Sequence, residues 1–163
     1  MLDPHFIGNL EQKLTDVQFK RVDADPLHKL IEKEGENVSV LTEEQETSLT
    51  ELFKGQIGDD KVMVQVQPLS SSENPVVITR PEFMRRMKDM SNLGGQSPYG
   101  DMPEFFNVIV NANHPVVAKI LEGEGDKQAE AAKQLYDLAL LQQGMLKGAD
   151  LTAFVNRSVS LMG

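Results

Sequence analysis

Apolar residues recur along the chain in two periods, and the switch between them marks where helices give way to strands. Phe6, Ile7, Leu10 and Leu14 fall at helical spacing, and Pro4 is tolerated in a first turn, so a helix is predicted up to Thr15. Val17, Phe19 and Arg21 alternate with Gln18, Lys20 and Val22, which predicts a short strand ending at the turn-prone D-A-D-P of residues 23–26. Leu27, Leu30 and Ile31 supply one more helical turn before the polar residues 32–37. This opening is too small to hold a core of its own.

A second segment begins at Thr42, which with Gln45 makes a capping-box pattern, each side chain satisfying an orphan amide at the helix start. Leu49, Leu52, Phe53 and Ile57 form its buried stripe, and Gly55 and Gly58 end it. Val62, Val64 and Val66 alternate with Met63, Gln65 and Gln67 as a half-buried strand should. Val76, Val77 and Ile78 make a short apolar strand, and the Ser-rich link between the two is too short for a crossover helix, so antiparallel pairing is expected. Thr79 and Glu82 repeat the capping-box spacing, and the helix after them carries Phe83, Met84, Met87 and Met90 before Gly94 and Gly95. Phe106, Val108 and Val110 predict a third strand, and Pro115 opens a short helix stopped by Gly123 and Gly125.

Residues 126–162 read as a helical hairpin, with Asp126 as cap and Gly144 as the break. Its first helix is apolar nearly all round from Leu135 to Leu141, and such a helix must be covered on both faces. One face can pack on the sheet layer and the partner helix. A second copy of the hairpin would cover the other and build a symmetric four-helix bundle. The alternative is an ordinary buried core helix. Unbranched methionines repack cheaply against varied partners, so the stripe of Phe83, Met87 and Met90, with Met84 beside it, suits a promiscuous binding surface. A methionine-filled helix buried on the sheet fits the same periodicity.

Composition narrows the function. A formal net charge of −9 argues against a nucleic-acid partner, because phosphate binding needs clustered Lys and Arg. The absence of cysteine removes disulfides, thiolate ligands and a thiol nucleophile together. No apolar run reaches the length of a membrane span and no secretory signal opens the chain, so a cytoplasmic protein is expected. His5, His28 and His114 lack metal-ligand spacing, and His114 in N-H-P reads as part of a helix entry. Glu122, Glu124 and Asp126 lack a calcium-loop pattern, and the glycines at 94, 95 and 100 make no phosphate cradle. No catalytic, cofactor or metal site is predicted.

Four stretches taken together resemble a known family. They are the opening segment 3–25, P-E-F-M-R-R-M-K-D-M at 81–90, V-N-A-N-H-P at 110–115 and L-Y-D-L-A-L-L at 135–141. In this order and spacing they are similar to the bacterial branch of the ninety-kilodalton heat-shock chaperone family. The resemblance implies that residues 1–37 are the tail of a middle domain and 38–163 a C-terminal dimerisation domain. It implies client contact at Phe83, Met84, Met87 and Met90. It implies dimer contacts at Leu135, Leu138, Leu141, Leu151, Phe154, Val155, Val159 and Met162. ATP and Mg would bind an N-terminal domain outside this sequence, so the fragment is expected to have no enzyme activity or cofactor of its own.

The resulting expectation is an α+β domain. It has a small, mainly antiparallel sheet, packed helices, and a C-terminal helical pair that forms a homodimer bundle. Its role would be to join two protomers of an ATP-dependent chaperone and present an apolar surface to non-native client proteins. A dimeric adaptor that binds one protein partner through the methionine helix is the alternative, and a small hydrolase with a dispersed site is a third class.

Overall fold

A computed structural model describes residues 4–14, 17, 19, 38–59, 61–79 and 105–162. Helix α1 (Pro4–Lys13) is followed by α2 (Glu43–Ile57), β1 (Val62–Gln67), β2 (Val76–Thr79), β3 (Phe106–Asn111), α3 (Pro115–Glu122), α4 (Gly125–Gln142) and α5 (Gly148–Ser160). Val17 and Phe19 lie in no strand, contrary to the alternation around them. Val17 donates its amide to the Leu14 carbonyl in a turn, and Phe19 donates to the Glu11 carboxylate. The predicted turn of helix at 27–31 and the methionine helix with Phe83, Met84, Met87 and Met90 fall outside the described residues.

The capping box forms at α2, where Thr42 and Gln45 each bond the other's backbone amide. The helix runs through Gly55 and stops at Gly58, whose φ of 61° is a left-handed conformation that a side chain disfavours. Leu49 and Phe53 are fully buried against the sheet and α4.

The strand order is β1-β3-β2, with β1 parallel and β2 antiparallel to β3. This corrects two expectations: β1 and β2 do not pair, and the sheet is mixed rather than mainly antiparallel. The physical reason lies in β3. Val108, Ile109 and Val110 are consecutive and all buried, so this strand needs cover on both faces and takes the centre. The alternating β1, with Met63 and Gln65 exposed, tolerates an edge. Val64, Val76, Ile78, Val108 and Val110 line the covered face, where α2, α3 and α4 close the core. Among the described side chains, none from α1 joins the core cluster.

A polar hub ties the loops to one end of this sheet. The Asn111 side chain is fully buried, accepts from the amides of Leu69 and Asn113, and donates to the Ser70 carbonyl at 2.8 Å. Asn113 donates to the carbonyls of Val38 and Leu69 and accepts from the Val40 amide at 3.0 Å. His114 caps α3, its Nδ1 accepting from the Val116 amide. The N-A-N-H-P stretch is thus a structural joint, which anchors the approach to α2, the loop after β1 and the start of α3.

Candidate functional site

The C-terminal hairpin is built by two breaks and one polar weld. Gly144 and Gly148 both take positive φ, 66° and 59°, which turns the chain back on itself between α4 and α5. Leu146 is buried within this turn. The Gly125 amide opens α4 after Glu124, so Asp126 sits in the first turn rather than at the cap, where its charge still favours the helix dipole.

Asp137 lies in the middle of the leucine-rich run and is 1% exposed. Its carboxylate meets Lys133 Nζ at 2.6 Å on its own helix and Arg157 Nη2 at 2.5 Å on α5. Arg157 Nε donates to Gln134 Oε1 at 2.7 Å, and the Gln134 amide nitrogen donates to Ser158 Oγ. Ser158 in turn donates to the Phe154 carbonyl. Both carboxylate oxygens are engaged, so the buried charge is paired and the two helices are held in one register. Tyr136 flanks this cluster with Lys133 Nζ 5.3 Å from its ring centroid. Burial, and then the charges of Asp137 and Asp59, push the Tyr136 phenol above its ordinary pKa of 10.0.

The apolar residues expected at a dimer contact divide around this weld. Phe154 is buried in its own chain, and Leu135 packs half-buried against the core cluster. Leu151 is half-buried. Leu138, Leu141, Val155, Val159 and Met162 are exposed, from 37% at Leu138 to 81% at Met162. Leu161, absent from the expected set, is 57% exposed beside them. The all-round apolar helix was therefore read correctly for its outer face. Its inner face buries Asp137 and Ala139, with Leu135, Tyr136 and Leu140 packed half-buried against the core. The Lys133–Asp137 spacing of four residues was the visible sign of the weld. Its third member, Arg157, is twenty residues further on, and no local pattern links it.

Among the described residues no three His, Asp or Glu side chains converge as metal ligands would. No described helix is long and apolar enough to cross a membrane. A cleft of about 620 Å³ opens where β1 begins, lined by Lys54, Ile57, Lys61, Val62, Phe105 and Phe106.

No profile of a known protein family matches the chain. Individual proteins do. It is 32% identical to "Chaperone protein htpG" of Bacteroides fragilis (strain 638R) over 230 aligned positions, covering 99% of this chain and 34% of that protein. It is 36% identical to "Chaperone protein HtpG" of Porphyromonas gingivalis (strain ATCC 33277) over 138 positions, covering 82% and 20% respectively. The protein of the same name from Bacteroides thetaiotaomicron is 31% identical over 230 positions, with 99% and 34% covered. The chain thus spans about a third of the length of the Bacteroides relatives. The 230 aligned positions exceed its 163 residues, so within the matched span those relatives carry residues that this chain lacks. Matched over 99% of its length by the Bacteroides chaperones and over 82% by that of Porphyromonas gingivalis, the chain belongs to the HtpG branch of the ninety-kilodalton heat-shock chaperone family.

Proposed function

We propose that residues 38–163 form the C-terminal homodimerisation and client-contact domain of an ATP-dependent chaperone, and that residues 1–37 are the tail of its middle domain. The observation that carries the dimer is the exposed row of Leu138, Leu141, Val155, Val159, Leu161 and Met162 on a hairpin whose two helices are welded behind it. Six exposed large apolar side chains on one hairpin give apolar surface that water disfavours and a symmetric copy would cover. Nucleotide binding and its Mg ion belong, in this reading, to an N-terminal region of the family outside the matched third. Client contact is assigned to Phe83, Met84, Met87 and Met90, together with the cleft the two hairpins would frame.

Replacing Leu138 and Leu141 with Glu tests the dimer cleanly, because both side chains are exposed in the single chain and the charges cost little there. In the dimer each charge would be buried without a partner. Sedimentation at micromolar concentration should show a dimer for the parent chain and a monomer of unchanged helicity for the double variant. A parent chain that sediments as a monomer defeats the proposal. For client contact, substituting Met84, Met87 and Met90 with Ser should weaken suppression of aggregation of an unfolded protein while leaving the dimer intact.

A further inference from the structure

Among the described residues, no strand pairs with the outer edge of β1. In the parallel ladder Phe106 donates to the Lys61 carbonyl and Ala112 to the Gln67 carbonyl, which fixes the phase of the pairing. The odd residues of β1 therefore turn their backbone groups to β3, and Val62, Val64 and Val66 turn theirs outward. The Val62 amide is used by the Asp59 carbonyl. The Val64 and Val66 amides and the carbonyls of all three have no partner among the described residues. The usual protections of an edge are missing from this strand: Val62–Gln67 contains no proline, no glycine, no charge and no bulge. On the face away from Val64 the Gln67 amide donates to Gln65 and the Gln65 amide to Met63.

The geometry points to this edge as a docking site for an extended segment of non-native polypeptide, added as a fourth strand beside β1. Backbone groups at strand spacing are complementary to another extended backbone whatever its sequence, which suits a ligand defined by lack of fold. Side-chain preference comes from the cleft at the start of β1, where Ile57, Phe105 and Phe106 receive an apolar side chain. Lys54 and Lys61 border the same cleft and favour an acidic neighbour. The Asp59 carboxylate there is already turned to the Lys61 amide, at 3.0 Å. The inference rests on the chaperone reading for the source of the ligand, and it is independent of the methionine stripe.

The probe is a soluble peptide of about eight residues, a typical strand length. It alternates valine and threonine, with one phenylalanine and a glutamate at each end. Saturating the full chain with it should slow amide exchange at Val64 and Val66 about tenfold, as newly hydrogen-bonded amides do. The same peptide N-methylated at its central amides should bind about tenfold more weakly, since it keeps the side chains and loses the donors. Val66→Pro removes an outward amide without touching the ladder to β3, and should abolish the protection while Val108 and Val110 stay protected. Equal binding by the methylated peptide overturns the proposal even if that variant fails to fold. Protection of Val64 that rises with chain concentration and needs no peptide also overturns it, by making a second copy the occupant. Suppression of client aggregation with no protection at Val64 and Val66 defeats this site and leaves the chaperone reading standing. Protection without suppression supports the site and defeats that reading.

Discussion

Asp137 is the residue on which the hairpin turns. Removing its carboxylate with Asp137→Ala leaves the largely buried Arg157 guanidinium without a counter-ion across the helix pair. The expected loss is about 3 kcal/mol of unfolding free energy, read from urea denaturation, because a broken buried pair leaves an uncompensated charge. Its neighbour Tyr136 makes a pH prediction. The folded chain holds the phenolic proton to higher pH than the unfolded chain does. The associated stability is therefore complete below about pH 10 and falls as pH rises through the interval between the two pKa values. Tyr136→Phe should flatten that part of the decline in urea midpoints measured from neutral pH into the alkaline range. At this scale the sequence was partly legible. The apolar run from Leu135 to Leu141 was legible as such, whereas the burial of Asp137 within it depends on Arg157, which only α5 brings to it.

Elements were easier to read than their neighbours. The start of α2 was written in Thr42 and Gln45, and its end in Gly58, because caps are local hydrogen-bond problems with local solutions. Thr42→Ala should cost about 1 kcal/mol through the lost cap, and Gly58→Ala about 1 kcal/mol through the left-handed backbone at φ 61°. Both would appear as lower thermal midpoints by circular dichroism with the helical signal of the native baseline retained. The positions of β1, β2 and β3 were likewise legible, but the strand expected around Val17 and Phe19 did not form, and the strand order was not as expected. A short link between β1 and β2 permits a hairpin. Burial decided otherwise: the continuous Val108, Ile109, Val110 run is the mark of a central strand, and it displaced the hairpin. The two asparagines of the N-A-N-H-P stretch behave in the same way. Their motif was visible, and their partners, up to 75 residues distant in sequence, were not.

For the whole molecule, a dimer built on the hairpin predicts that stability depends on concentration. The thermal midpoint of the chain should rise as protein concentration increases, since association draws the folded state by mass action. The Leu138→Glu, Leu141→Glu variant should melt at one temperature across the same range. A parent midpoint that does not move with concentration would count against the dimer as strongly as a monomeric sedimentation profile. Two surfaces with different tasks emerge at this scale. In the proposed assembly the welded hairpin would present side chains to a symmetric copy, and the β1 edge would present backbone to an extended chain.

The sequence by itself determined the positions of β1 to β3 and of the five described helices, though not the strand expected at 17–22, together with the apolar character of the hairpin and the family. These depend on periodicity, caps and ordered motifs, which act over a few residues. The tertiary structure alone decided that β3 separates β1 from β2, that Asp137 is buried against Arg157, and that no described strand pairs with the outer edge of Val62–Gln67. Each of these joins residues far apart in the chain. Such pairings are selected by which surfaces can be buried together, a competition among all elements that no single stretch of sequence records.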